Sequence, residues 1–433
     1  MMELDRRGEL ETALYRHWLP DSRQSPRQAA DPLRESNGFS AIAGKMLNAG
    51  LPVLAVRAFE QHYSQLHSGM SGYIPSDEAL PIRGLLEYGD LDRHLEQIGA
   101  QALNRTVVLK LNGGLGTTMG LNGPKSMLIV KEGLSFLEIT VRQILSQRVQ
   151  SGARLPFVLM NSFSTHEQTL AALRSYPDFQ QDIPTAFMQH RIPKIRADTL
   201  SAVTWTQNRA KEWCPPGHGD IYAALTTSNV LPAMLEAGYE YLFVSNSDNL
   251  GAAIDNRILG HFVEARLPFL MEVAYRTLSD RKGGHLARRQ DGRLCLRESA
   301  QCPPDEIQRF MDVERYQYFN TNNLWLHLPT LNKVLQAWDY VLPLPLIRNT
   351  KNVDPGKADS PQVYQLETAV GSAISLFEGA EALCVPRSRF IPVKINDDLV
   401  RLRSHQYRLT DDYRLEATPQ LASLSREMVR NGS

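Results

Sequence analysis

Short apolar or β-branched runs alternate with longer amphipathic stretches through the middle of the chain. TVVLKL (106–111), PFVLMNS (156–162), TAFMQH (185–190) and YLFVSN (241–246) read as strands, because such runs bounded by polar turns suit a strand buried on both faces. STHEQTLAALRSY (164–176) carries apolar residues at helical spacing, and Ser164 with Glu167 three positions on predicts a capping box. This alternation predicts an α/β fold built on a mixed, mainly parallel, doubly wound sheet with helices on both faces. Ligands of such sheets bind beyond the carboxyl ends of the strands, so the residues just after each run are the ones to inspect.

Residues 1–100 read as a helical N-terminal region, from runs such as LETALYRHWL (10–19) and AGLPVLAVRAFEQHYSQL (49–66), with a loop over 20–38. Later in the chain, Asp291-Gly292 within RRQDGRLCLRES predicts a tight hairpin, which makes the sheet mixed. Residues 347–362 read as the clearest long surface loop.

Composition narrows the chemistry. The 433 residues are 42% hydrophobic and 22% charged, enough to bury a sizeable core, and Lys plus Arg equals Asp plus Glu at 47 each. No basic field therefore advertises nucleic acid or an anionic membrane surface, and phosphate chemistry must come from a local site. Cys214, Cys295, Cys302 and Cys384 form no CxxC pair and read as buried thiols of a reducing compartment. With acidic residues at the N-terminus and no membrane-length apolar run, the expected location is cytoplasmic.

Three clusters stand at strand ends. KLNGGLGTTMGLNGPKS (110–126) follows the first strand with five glycines and then Lys125. Glycine backbone amides can cradle phosphates, with the lysine as a compact cation, yet the spacing is neither a Walker A loop nor a GxGxxG fingerprint. CPPGHGDIY (214–222) sets His218 between two glycines, with Asp220 placed to cap the following helix. YLFVSNSDNLGA (241–252) ends a strand in Asn246, Asp248 and Asn249, hard oxygen donors suited to Mg²⁺, with Asp248 the best single candidate. A tight turn, a surface histidine and an Asn/Asp turn remain the plain structural alternatives. FNTNNLW (319–325) offers three asparagines at the edge of a strand that could read sugar hydroxyls, and RSRFIPVKINDDL (387–399) puts Lys394 at the end of an apolar strand.

In this order, with LMNSF, QLETAVG and PRSRFIPVK, these blocks closely resemble the eukaryotic-type UTP:glucose-1-phosphate uridylyltransferase family from about Thr106 to about Ser404. The resemblance implies a Rossmann-like, glycosyltransferase-A type core over 101–404, with a short tail over 405–433, and UTP and glucose 1-phosphate as substrates. It implies that Leu111, Asn112, Gly113 and Gly114 hold the UTP base and phosphates, and that Lys125 meets the triphosphate. Gln189 and Gly217 match uracil contacts, His218 and Asn246 match contacts to the sugar phosphate, and Asn322 matches a sugar contact. Asp248 resembles the Mg²⁺ ligand and Lys394 the essential lysine beside the α-phosphate.

Family members in eukaryotes continue into a C-terminal β-helix used in oligomer contacts, whereas this sequence stops shortly after Lys394. The expectation is therefore no β-helix, and a monomer or dimer. Related pyrophosphorylases for N-acetylglucosamine 1-phosphate usually carry an arginine where this chain has Thr118, which favours glucose. An inactive nucleotide sensor would lack a charged site residue, and Lys125, Asp248 and Lys394 are all present.

Overall fold

The computed structural model describes residues 38–116, 119–121, 123–176, 179 and 181–418. The central sheet has nine strands: β1 (Thr106–Asn112), β2 (Phe157–Asn161), β3 (Ala186–Met188), β4 (Tyr241–Asn246), β5 (Phe269–Tyr275), β6 (His285–Arg288), β7 (Leu294–Arg297), β8 (Tyr318–His327) and β9 (Glu381–Cys384). Their order is β7-β6-β8-β4-β1-β2-β3, with β5 against β8 and β9 against β5. The strands from β4 to β3 run parallel, and β8 is antiparallel to β4, β5 and β6. Every residue of β1 and β2 is buried, as a continuous apolar run between two helical layers requires.

Two apolar clusters cover the two faces of this sheet. One joins Val107 and Leu109 of β1 to Ile221, Tyr222 and Leu225, and the other joins Val108 of β1 to Leu137, Val141 and Ile144. The second set lies on helix α1 (Phe136–Ser151), which Ser135 and Glu138 cap reciprocally and which ends on the left-handed Gly152. A third cluster packs the helices Phe39–Asn48 and Val53–His67 against Ile192, Cys214 and Leu366, so the N-terminal region supports the segment leading to His218. All four cysteines are buried and free. The Asp291-Gly292 turn does join β6 and β7.

Four local expectations need correction. The helix expected from Ser164 starts at His166, and it has no capping box because the Thr165 hydroxyl donates to the Asn112 carbonyl instead. Residues 347–362 are not one loop: Ile347–Asn352 pairs antiparallel with Gln362–Glu367 across a shorter turn. FNTNNLW lies inside the long buried strand β8, not at a strand edge. Lys394 follows an extended segment that is not a strand of the sheet: it bridges to Asn249 through Pro392 and meets β8 through the Phe390 ring and the Arg389 carbonyl, so no strand ends there. The expected helix over 10–19, the loop over 20–37, Thr118 and the tail beyond 418 lie outside the described residues.

Candidate active site at the carboxyl ends of β1 and β4

Because β1 lies between β2 and β4 in parallel register, Asn112, Asn161 and Asn246 finish side by side. The Asn112 carboxamide turns inward and donates to Asn161 and Thr169, so Asn112 and Leu111 serve the cleft through backbone. Beyond them the glycine-rich loop folds back on itself: Lys125 N–H donates to the Gly114 carbonyl and Gly116 N–H to Gly123. Gly113 is needed for space, since a Cβ there would stand 2.8 Å from Gln189 Nε2. Gln189 is itself tied by its N–H to the Asn161 carbonyl, so the side chain matched to uracil rests on the loop matched to the phosphates.

Lys125 reaches across to Asp248, with Nζ 2.5 Å from Oδ2 and both side chains less than one-fifth exposed. Among the described residues the other Asp248 oxygen takes no hydrogen bond, and no group of three His, Cys, Asp or Glu side chains gathers to enclose an ion. A single carboxylate with open positions suits a hard cation that draws its remaining ligands from phosphate and water.

His218 is held with little freedom. Gly217 has φ 80°, and a Cβ there would lie 2.4 Å from the Thr368 carbonyl; a Cβ on Gly219 would lie 2.4 Å from Thr368 Oγ1. The Val370 N–H donates to His218 Nδ1 at 2.9 Å, and burial pushes the imidazole down to about 4. The ring is therefore neutral, and its single proton sits on Nε2 as a donor. Asp220 does not cap the helix Ile221–Thr227; its carboxylate takes both the N–H and Nδ1 of His190. That exchange locks the Gln189 segment to the His218 loop.

The sugar side is built differently. Opposite Glu272 and Val273 of β5 the register of β8 slips, leaving Thr321 and Asn322 as a bulge. Asn322 takes φ 59°, unusual for a residue with a side chain, and is braced by exchange of hydrogen bonds with Asn320. Lys394 is exposed, with Nζ 5.6 Å from the centre of the Phe319 ring, and it makes no ion pair among the described residues. Burial raises the Glu298 carboxyl, while Lys394 and Asn320 beside it pull the other way. Lys394 thus joins Phe319, Asn320 and Glu298, whereas Lys125 stands with Asp248 beside the glycine-rich loop.

With this geometry in place, the family model for UTP–glucose-1-phosphate uridylyltransferase matches residues 56–430. The chain belongs to that family. It is 40% identical to the Schizosaccharomyces pombe protein named Probable UTP–glucose-1-phosphate uridylyltransferase, over 88% of this chain and 76% of that one. Against the Solanum tuberosum UTP–glucose-1-phosphate uridylyltransferase the identity is 42%, over 76% and 68%. The crystal structure of a mutant UDP-glucose pyrophosphorylase from Leishmania major in complex with UDP-glucose superposes with a TM-score of 0.83 at 45% identity, covering 90% of this chain and 83% of that one. These are nucleotidyltransferases, and the mixed α/β sheet agrees with the family's fold. Among the described residues no helix is long and apolar enough to cross a membrane.

Sequence reasoning missed several residues of the site. Glu298 and Phe319 flank Lys394, Thr368 braces both glycines beside His218, and His190 with Asp220 joins two loops. Glu298 had a readable signal, as the polar residue closing the second strand of the Asp291-Gly292 hairpin. The others depend on contacts between segments separated along the chain, from His190 with Asp220 to Thr368 with Gly217, and leave no local pattern.

Proposed function

We infer that the chain makes UDP-glucose and diphosphate from UTP and glucose 1-phosphate by a Mg²⁺-dependent in-line displacement. The observation that carries the reading is the Lys125–Asp248 pair beyond the carboxyl ends of β1 and β4. Leu111 to Gly114 supply backbone amides for the UTP phosphates, and Gln189 and Gly217 meet the uracil. His218 Nε2 and Asn246 orient the sugar phosphate, and Asn322 reads a sugar hydroxyl. Lys125 meets the triphosphate, Asp248 would hold Mg²⁺, and Lys394 lies against the α-phosphoryl group.

A phosphate oxygen of glucose 1-phosphate forms the new bond to the UTP α-phosphorus while the α–β anhydride bond breaks, and the electron pair leaves with diphosphate. The nucleophile is already ionised, so no general base is required. Two polyanions must instead be brought together and the charge on the leaving group neutralised. Asp248 would hold Mg²⁺, which would supply positive charge to offset that on the leaving group. A monomer or dimer is the expected assembly, and an octamer-sized particle in light scattering would contradict it.

The decisive assay follows diphosphate release from UTP and Mg²⁺ with a panel of sugar 1-phosphates. Glucose 1-phosphate should give by far the highest kcat/KM. Product no greater than the blank with glucose 1-phosphate would refute the reading, and a preference for N-acetylglucosamine 1-phosphate would redirect it.

A further inference from the structure

Asp248 and Lys394 are 146 positions apart in the chain, yet the reaction needs their charges at a fixed spacing across one phosphoryl group. Asn249, next to Asp248 in the chain, is hydrogen-bonded to the segment that leads to Lys394. It is 1% exposed, and its carboxamide is fully engaged inside the protein. Nδ2 donates to the Arg389 carbonyl at 3.0 Å and to Asn323 Oδ1 at 3.3 Å, while Oδ1 accepts from the Ile391 N–H at 2.9 Å. A bridge between Asn249 and Pro392 extends this contact toward Lys394. One side chain thus joins the loop bearing Asp248, the segment bearing Lys394 and the strand bearing Asn322.

Its anchor is a buried ion pair. Arg389 Nε and Nη2 donate to the two oxygens of Glu272, each at 2.7 Å, and Glu272 also accepts from Trp325 Nε1 and Asn323 Nδ2. Arg389 Nη2 donates onward to the Ala253 carbonyl, and the buried Lys110 donates to Ala252, so the Asp248 loop is gripped on both sides. Gly251 admits the close approach: a Cβ there would lie 2.3 Å from the Ser388 carbonyl. Every hydrogen-bonding atom of the Asn249 side chain is committed, which leaves it none with which to contact substrate.

We propose that Asn249 is a positioning residue that fixes the spacing between Asp248 and Lys394, with the Arg389–Glu272 pair as its buried anchor. The proposal rests on the roles given to Asp248 and Lys394 above. A displacement of about 1 Å in such a site costs roughly 100-fold in rate. Asn249→Ala is therefore expected to lower kcat about 100-fold while both KM values stay within about threefold. A core variant away from the site, Leu331→Ala, chosen for a comparable fall in Tm, should keep kcat within about threefold. Asn249→Ser, polar but too short to span Arg389 and Ile391 together, serves as the second variant if Asn249→Ala does not fold, and should show the same split.

The discriminating measurement is a double-mutant cycle. In a Lys394→Ala background, Asn249→Ala should cost less than about threefold, because the spacing it maintains no longer has a second partner. An equal factor in both backgrounds, or an equal loss of kcat in Leu331→Ala, overturns the proposal and leaves the assigned roles standing. Near-normal turnover of Lys394→Ala alone overturns both.

Discussion

The two halves of the cleft reach similar ends by different means. On the nucleotide side, parallel strands stop in register, and their carboxyl ends present backbone, small residues and one ion pair, Lys125 with Asp248. On the sugar side an antiparallel strand is bulged, an asparagine is held at φ 59°, and Lys394 stands without an ion-pair partner among the described residues. The first half is preset by sheet geometry; the second relies on a local irregularity and on contacts from distant segments. A cation paired in the free enzyme must be released to act, whereas an unpaired one acts at once.

That contrast predicts unequal effects for the two lysines. Lys394→Ala should lower kcat by about 10²–10³, the usual cost of removing one preorganised charge from a transition state. Tm should not change, because the side chain is exposed and supports little packing. Lys125→Met should also reduce kcat, but with a second signature: once relieved of its partner, Asp248 should bind Mn²⁺ more tightly in the absence of UTP, as measured by titration calorimetry. Unchanged Mn²⁺ affinity would break the contrast by showing that the ion pair does not compete for the carboxylate.

The same contrast explains what could be read from sequence. The nucleotide half was largely legible because βα units place their strand-end residues consecutively, so KLNGG and SNSDN announce themselves as motifs. Even there the glycines serve different ends: in 110–126 only Gly120 among the described glycines has positive φ, and Gly113 and Gly123 are small because Gln189 and Gln168 crowd them. The sugar half was less legible. A bulge depends on the register of the partner strand, and β5 lies about fifty residues upstream of Asn322, so FNTNNLW gave no sign of being buried. The roles of Thr368 and Arg389 emerge only when segments far apart in sequence are brought together.

The bulge itself can be tested with less disturbance. At φ 59° a glycine is relaxed and an alanine strained, so Asn322→Gly should keep Tm close to wild type whereas Asn322→Ala should lower it. Both remove the carboxamide, and both should raise KM for glucose 1-phosphate about tenfold, the value of one hydrogen bond, with KM for UTP little altered. Equal Tm values for the two variants would show that the bulge is not strained. A matching rise in KM for UTP would deny that Asn322 belongs to the sugar half.

The smallest expected effect concerns protons at the boundary between the halves. Burial lowers His218 from 6.5 to about 4, and burial likewise lowers His62, on the helix behind the loop, to about 4, with the Leu344 and Ala58 carbonyls and Asp220 pulling the other way. Both are bases whose folded pKa lies below the unfolded one, so between pH 6.5 and 4 the unfolded chain binds more protons. Their neutral, buried state is therefore uncosted above pH 6.5, and stability is lost progressively as pH falls toward 4. Thermal unfolding at pH 7.5 and pH 5.0 should give a lower Tm at the acid end, and His218→Gln should narrow that gap without abolishing it, since His62 remains. A gap of the same size in His218→Gln would mean that His218 takes up its proton in the fold as readily as in the unfolded chain, and the lowering of its pKa by burial would fail.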